Sequence, residues 1–243
     1  MNQLTLQQRT QLAEEGFVLI KGVLSAETTT TLLNHLEHLW HTEGANAGSE
    51  NYIEPETRRL ANLADKGDIF RPIYMHPLAL ESCRAVMGAD VRLSMLNARD
   101  ALPRSGRRQS FHCDTDNSGR PDEKGFYACT TIWMLDDFTT ENGATYLVPR
   151  THLTGKVPKD VLTDRTAPHP DEIRAIGERG DLFIFNGHCW HAGGENRSDQ
   201  TRRAILAHYL RADQLPARAD RRQSISAENA LKLTDQERVL LAL

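Results

Sequence analysis

A histidine and an aspartate separated by one residue are the first feature of this sequence that points to chemistry. They are His112 and Asp114, in the stretch SFHCDTD. In an extended strand, side chains two positions apart share a face, so the imidazole and the carboxylate are expected to converge while Cys113 faces away. Together they supply two of the three ligands of a two-histidine, one-carboxylate metal site. A lone pair of this kind is more often the polar end of a strand, so a third ligand decides the interpretation.

A second polar stretch, residues 180–210, offers three candidate histidines, which are His188, His191 and His208. His191 precedes Ala-Gly-Gly, and a ligand beside flexible backbone leaves room for a small molecule. Further along, strand alternation puts Arg202 and His208 on one face and Arg203 on the other. One arginine can therefore face inward and bind a carboxylate through its planar guanidinium. The alternative is that both arginines are solvated charges on a strand edge.

Composition excludes several classes of protein. The chain has 243 residues, of which 39% are hydrophobic and 26% charged, as is usual for one globular domain. The formal net charge of −4 gives no sign of a nucleic-acid surface. No apolar run approaches the ~18 residues of a membrane span, and no export signal is evident. Four widely spaced cysteines are expected to be free thiols, which predicts a cytoplasmic location.

The hydrophobic pattern predicts helices first and a β core afterwards. Predicted helices cover residues 4–15, 25–42 and 75–88, with a buried strand at 16–24. After Gly88 come short strand-like runs, at 91–99, 126–135, 144–149, 181–185 and 203–210. Residues 151–180 form a long polar stretch, expected to be a functional or mobile loop, and the tail from residue 226 is expected to be helical.

Four stretches together resemble the phytanoyl-CoA dioxygenase family of Fe(II)/2-oxoglutarate dioxygenases. They are QSFHCDTD, WMLDDFTTENGATYLVPRTH, the 180–206 stretch with Trp190-His191, and, more weakly, LAEEGFVLIKGVLSAE. Arg202 follows His191 by eleven residues, which is the gap usual in the family. One departure is Pro-Arg-Thr-His at residues 149–152, where the family usually has Pro-Gly-Ser-His. That change alters a loop and touches no ligand.

The resemblance implies a mainly β fold with flanking helices around a double-stranded β-helix, a jelly-roll or cupin-like core. It implies a single domain across residues 1–243, with a helical part at about 1–88, the β-helix at about 89–212 and a helical tail at about 213–243. The N-terminal helices are expected to pack on one sheet.

The resemblance also implies the ligands of the site. His112, Asp114 and His191 correspond to the Fe(II) ligands, and Arg202 to the residue that pairs with the C5 carboxylate of 2-oxoglutarate. Further expected contacts are amides near the C1 carboxylate, from Gln109 and Asn97, and a hydroxyl near C5, from Thr131. For these three residues a satisfied polar side chain in a barrel strand is an equal alternative.

The implied reaction uses O2 to oxidise a small-molecule metabolite, with release of succinate and CO2. An aspartate at position 114 favours hydroxylation or another oxidation, because halogenating relatives have a small residue there. His188 is expected to be a structural or pocket-edge histidine. His208 is expected to be a core histidine with one hydrogen bond, and a place in the pocket lining is its alternative. Arg104, Arg107 and Arg108 could attract an anionic substrate, although a solvated basic loop is slightly favoured. No nucleic-acid or membrane partner is expected, and the sequence leaves the oligomeric state open.

Two other functions remain compatible with the same ligands. One is a Zn(II)-dependent hydrolase that uses a metal-bound water. The other is a non-catalytic barrel that binds a small molecule or iron. The hydrolase gives Arg202 no obvious task, and neither alternative explains the arginine spacing as well.

Overall fold

The computed structural model describes residues 3–50, 57–88, 90–115, 120–221 and 223–243. The chain begins with helices and two short strands, in the order α1 (Leu6–Glu14), β1 (Phe17–Ile20), α2 (Ala26–Glu43), β2 (Thr57–Leu60), α3 (Arg71–Tyr74) and α4 (Pro77–Met87). Side-chain caps fix where the long helices begin. Thr5 and Gln8 form a capping box at α1, and the Ser25 hydroxyl accepts from the Thr28 N–H at α2.

The second half of the chain is mainly strands. They are β3 (Val91–Ala101), β4 (Ala128–Met134), β5 (Tyr146–Val148), β6 (Ile173–Arg174), β7 (Leu182–Asn186), β8 (Trp190–Ala192) and β9 (Arg202–Arg211). This half also has three short helices. One is α5 (Pro158–Val161), between β5 and β6, and two follow β9, namely α6 (Ala227–Ala230) and α7 (Asp235–Leu241).

The strands form two antiparallel sheets. The larger sheet has the order β1-β7-β4-β9-β3-β2, and the smaller has the order β6-β5-β8. Isolated bridges between His112 and His191 and between Ser105 and Asn196 lay a further segment of chain along β8. Within the described residues, no helix is both long enough and apolar enough to cross a lipid bilayer.

Strand alternation divides the core into two layers. In β4, Cys129 and Trp133 pack among the helices, whereas Ile132 and Met134 pack between the sheets. The layer on the helix side includes residues from α1, α2, α4 and α7. The layer between the sheets includes Leu147 of β5. This confirms the predicted double-stranded β-helix with helices packed on its larger sheet.

The N-terminal part contributes more than helices. Both edge strands of the larger sheet, β1 and β2, come from it, and β2 had no counterpart in the sequence pattern. The polar stretch 151–180 also holds structure, namely a 3-10 helix at Thr151–Thr154, helix α5 and strand β6. The expected boundary near residue 89 falls on a position outside the described residues.

Gly16 lies where α1, β1 and the β7–β8 turn meet. Its φ is +83°, and a Cβ built there would lie 2.3 Å from Cys189 Sγ and 2.6 Å from His152 Nδ1. His152 in turn contacts the Ala13 carbonyl through Nε2 at 3.0 Å. The buried His152 and Cys189 side chains therefore link helix α1 to the smaller sheet, at a point where only glycine fits.

We expect Gly16→Ala to destabilise the protein by about 2–5 kcal/mol, because it combines a left-handed backbone with overpacking. Gly22→Ala is the matched control, since Gly22 has φ +61° and no atom within 4 Å of a built Cβ. That variant should lose about 1–2 kcal/mol, from the backbone alone. Urea unfolding of both variants measures the difference. Equal losses would show that the space around Gly16 imposes no packing constraint.

Candidate metal centre and its cavity

A backbone pairing brings His112 and His191 together. The His112 N–H donates to the His191 carbonyl at 2.9 Å, and the His191 N–H donates to the His112 carbonyl at 3.0 Å. The two imidazole rings are consequently 4.3 Å apart between centroids. The segment before Asp114 is not a regular strand, since only isolated bridges tie it to β8. The expected convergence is nevertheless present.

Both imidazoles are oriented in the same way. His112 Nδ1 lies 3.0 Å from the Ser110 carbonyl, and His191 Nδ1 lies 3.0 Å from the Cys189 carbonyl. A carbonyl oxygen can only accept, so each Nδ1 is the protonated nitrogen. Each ring then has Nε2 available to bind a metal, which is the usual arrangement for a metal-ligating histidine.

Asp114 completes the cluster. Its Oδ1 lies 3.5 Å from His191 Nε2, and the ligand atoms of His112, Asp114 and His191 lie within 4.8 Å of one another. The neighbouring Cys113 packs in a separate apolar cluster with Phe111, and burial raises the pKa of its thiol to about 12. Cys113 is therefore a packing residue, with its thiol protonated at neutral pH.

Protonation in this cluster favours metal binding. Burial, with the charge of His191, lowers the pKa of His112 to about 4. Burial alone would raise the pKa of Asp114, but the charge and hydrogen bond of His191 hold it well below its usual value. Burial would lower the pKa of His191, but Asp114 raises it. The carboxylate is thus ionised and His112 neutral, which are the forms that bind a transition metal. The residues present fit a divalent iron ion.

The other two candidate histidines have different surroundings. His188 is completely buried, and its Nε2 accepts from the Tyr127 N–H at 3.2 Å. It is structural, as expected. His208 is not a core histidine, the favoured expectation, but lies in the cavity wall, with Nδ1 3.0 Å from the Thr130 hydroxyl. Tertiary pairing with residue 112 therefore selects His191 from the three.

A cavity extends from this cluster between the two sheets. It has an inner chamber of about 370 Å³ and an outer chamber of about 820 Å³, which share several wall residues. The shared wall residues are Arg99, Gln109, His112, Ile132, Thr145, Gly193 and Leu206. Chambers of this size accommodate ligands of small-molecule dimensions.

Arg202 lies in the wall of the outer chamber and is only 6% exposed. Its Nη2 donates to the Gly143 carbonyl at 2.7 Å, and the guanidinium lies 4.4 Å from the Phe138 ring centroid. Its Nε is buried with no hydrogen-bond partner among the described residues. Burial and the charge of Arg99 lower the pKa of Arg202 to about 10, so it is a cation at neutral pH. A buried cation with an unused donor favours an anionic partner, which would supply the missing counter-charge.

Arg203 points to the other face, as alternation predicted. Its Nε and Nη2 donate to the two oxygens of Asp136, each at 2.7 Å. The guanidinium of Arg203 is therefore already paired with a carboxylate outside the cavity.

The remaining expected contacts divide into two groups. Gln109 and Asn97 line the inner chamber, where Gln109 Oε1 accepts from the Gly193 N–H and Asn97 Oδ1 from the Asn62 N–H. Thr131 does not reach the cavity. It lies on the helix side of β4, and its hydroxyl donates to the Ala207 carbonyl at 3.4 Å. Its neighbour Thr130 occupies the cavity side instead.

The polar cavity residues that sequence reasoning missed include Arg99, Thr130 and Thr145. Alternation along β3 places Asn97 and Arg99 on one face, so the pattern that suggested Asn97 could also have suggested Arg99. Thr145 follows the Asn-Gly turn, and its approach to the cavity depends on how the sheets pack. No local pattern distinguishes it.

The basic loop before His112 has mixed surroundings. Arg104 pairs with Asp199 at 2.5 Å on the surface. Arg108 pairs with Glu172 and stacks on the Tyr146 ring at 3.9 Å. Arg107 is exposed and lines the outer chamber. One arginine of the three is therefore a solvated surface charge away from the cavity, and two reach its wall.

Comparison with known sequences agrees with the family that the sequence motifs resemble. The profile of the family described as phytanoyl-CoA dioxygenase (PhyH) matches residues 12–204. Dioxygenase andF of Emericella variicolor is 35% identical over 211 residues, covering 82% of this chain and 71% of its own. The Fe(II)/2-oxoglutarate-dependent dioxygenase nvfF of Aspergillus novofumigatus is 30% identical, over 80% of this chain and 67% of its own.

Solved structures share the fold. The non-heme alpha ketoglutarate dependent carbocyclase SnoK from nogalamycin biosynthesis superposes with a TM-score of 0.69 at 21% identity, over 86% of this chain and 85% of that one. HygX from Streptomyces hygroscopicus, with nickel and 2-oxoglutarate bound, has a TM-score of 0.69 at 18% identity, over 86% and 88% of the two chains. These similarities establish the architecture of the two sheets.

Proposed function

Because this chain belongs to the phytanoyl-CoA dioxygenase family, we propose that His112, Asp114 and His191 bind its catalytic iron. The protein is an Fe(II)- and 2-oxoglutarate-dependent dioxygenase. One observation supports this assignment of residues. The three ligand atoms lie within 4.8 Å of one another at the inner end of the cavity, and Arg202 lies in its outer wall. When bound with 2-oxoglutarate and O2, iron supplies the oxidising chemistry.

We propose that Arg202 binds the C5 carboxylate of 2-oxoglutarate. The buried guanidinium has a donor to spare, and a carboxylate would supply the counter-charge that burial demands. Gln109 and Asn97 are nearer the metal cluster and are suited to the other end of the cosubstrate. The reaction would release succinate and CO2 as the substrate is hydroxylated or otherwise oxidised.

We further propose that the substrate carries an anionic group, such as a carboxylate, phosphate or sulfate. Five arginines line the two chambers, namely Arg59, Arg99, Arg107, Arg108 and Arg202. Arg108 is paired with Glu172, and Arg202 is assigned to 2-oxoglutarate. Among the described wall residues Asp114 is the single carboxylate, and it is assigned to the metal. A cavity lined by one sign of charge raises the local concentration of ligands of the opposite sign.

The chain is proposed to act as one domain in the cytoplasm. One apolar core joins Leu4 near the start of the chain, Tyr209 of the sheet and Leu241 near its end. All four cysteines are free and buried, which is the usual state of thiols in a reducing compartment.

The metal assignment predicts that His191→Ala abolishes both Fe(II) binding and 2-oxoglutarate turnover, because it removes one of three ligands. His188→Ala is the matched control, since that histidine is three residues away and outside the cluster; it should retain metal binding despite some loss of stability. Metal titration and succinate formation measure both properties. Loss of metal from His188→Ala but not from His191→Ala would show that His188 is the metal ligand. Zinc-dependent hydrolysis without 2-oxoglutarate would show that the protein is a hydrolase and not a dioxygenase.

The cosubstrate assignment predicts a steep rise in the 2-oxoglutarate requirement of Arg202→Ala, with iron still bound. Losing a buried charge pair costs about 3–5 kcal/mol, or roughly a hundred- to several-thousand-fold in affinity. Arg203→Ala is the control, because Arg203 already pairs with Asp136 outside the cavity. Succinate formation against 2-oxoglutarate concentration checks this. A normal curve for Arg202→Ala would refute the role of that residue.

The substrate proposal predicts turnover above the uncoupled rate for carboxylated, phosphorylated or sulfated compounds, but not for their neutral esters or amides. For such a substrate, Arg107→Gln should raise KM by about two- to fivefold, the effect of losing one exposed charge contact. Arg104→Gln is the control, since Arg104 pairs with Asp199 away from the cavity wall. A preference for the neutral compounds would exclude the anionic class.

A further inference from the structure

The two oxygens of the Asp114 carboxylate have different neighbours. Oδ1 lies 3.5 Å from His191 Nε2, inside the cluster of ligand atoms. Oδ2 accepts a hydrogen bond from the Thr130 hydroxyl at 2.6 Å. A short O–H···O bond to an ionised carboxylate is one of the stronger hydrogen bonds in proteins. The carboxylate is therefore held at one oxygen by the protein, while the other faces the histidines.

A third residue fixes the direction of this hydrogen bond. Thr130 Oγ1 also lies 3.0 Å from His208 Nδ1. An ionised carboxylate has no proton to donate, so the single hydroxyl proton of Thr130 goes to Asp114. His208 must then donate its Nδ1–H to the Thr130 oxygen. Three side chains thus form one directed series, from His208 through Thr130 to Asp114.

The larger sheet holds this series in place. Thr130 of β4 and His208 of β9 are direct partners in the antiparallel register. Both are nearly buried, with 4% and 5% exposure, and both lie on the cavity side of the sheet. Directly paired side chains on one face of a sheet lie close together. The hydroxyl and the imidazole therefore present themselves to Asp114 from a rigid surface.

Resting on the proposed function, we propose that Thr130 and His208 are positioning residues that restrain Oδ2 of Asp114, so that this carboxylate offers only Oδ1 to the iron. Without that restraint the carboxyl group can rotate and offer both oxygens. A second oxygen would occupy a coordination position that 2-oxoglutarate or O2 requires. The series keeps the site at three protein ligands and three open positions.

The test compares Thr130→Val, which removes the hydroxyl at similar volume, with Thr130→Ser, which retains it. Thr131→Val is the neighbouring control, because the structure places that hydroxyl on the helix side of β4. Co(II) is titrated into each metal-free protein, and affinity and the visible absorption of the bound ion are measured. We expect the visible spectrum of Co(II) bound to Thr130→Val to change, because the freed Oδ2 can also bind the ion. We expect its affinity to fall about ten- to a hundredfold, because the carboxylate is no longer oriented before the metal binds. Thr130→Ser and Thr131→Val should resemble the wild type.

Wild-type affinity and an unchanged spectrum in Thr130→Val would overturn the inference, as would a Thr130→Ser variant as impaired as Thr130→Val. Circular dichroism shows whether each variant folds. If Thr130→Val does not, His208 carries the test. His208→Asn retains an N–H donor near the position of Nδ1 and should resemble the wild type, whereas His208→Leu should bind Co(II) more weakly. Equal affinities for His208→Leu and the wild type would then reject the series.

Measurements on the wild-type protein distinguish failure of this inference from failure of the proposed function on which it rests. If the wild type binds neither Co(II) nor Fe(II), or forms no succinate from 2-oxoglutarate, the proposed function fails. If the wild type does both, and Thr130→Val binds Co(II) with equal affinity and an unchanged spectrum, the function stands and the restraint of Asp114 is wrong.

Discussion

The antiparallel pairing between the segment around His112 and strand β8 is the constraint on which the site depends. Two reciprocal hydrogen bonds, of 2.9 and 3.0 Å, join the main chains of His112 and His191. They set the two imidazoles side by side, and the carbonyls of Ser110 and Cys189 then orient both rings. Backbone groups rather than flexible side chains thus set the positions of the two imidazoles.

The two faces of the larger sheet have different roles. One face carries Ile205, Ala207 and Tyr209 into the core beneath the helices, and the other carries Arg202, Leu206 and His208 into the cavity wall. Burial on the helix side stabilises the sheet through apolar area. The cavity side can therefore hold polar and charged groups that would be costly in a core, because stability is supplied from the opposite face.

Charge inside the cavity is the feature that most strongly suggests ligands. The buried Arg202 contacts Phe138 and one carbonyl, and its pKa of about 10 shows how burial and Arg99 oppose its charge. A fold retains such a group at a cost in stability, which an anionic ligand would offset on binding. Asp114 has the opposite balance, since nearby imidazoles and the Thr130 hydroxyl favour its charge. The cavity thus has a negative charge at the end formed by His112, Asp114 and His191, and positive charges in its outer wall.

The sequence by itself determined what depends on local periodicity. The opposite faces of Arg202 and Arg203 and the long strands β3, β4 and β9 follow from alternation along a single segment. The same alternation predicted the convergence of His112 and Asp114, although their segment is only bridged to β8. The resemblance to a family supplied His191. Tertiary structure decided what depends on contacts between distant segments. It separated His191 from His188 and His208, placed Thr130 rather than Thr131 in the cavity, and paired Arg108 with Glu172. It also made β1 and β2 the edges of the larger sheet. Alternation leaves the choice of face open until a neighbouring strand or helix is known, because periodicity fixes which residues share a face but not what that face meets.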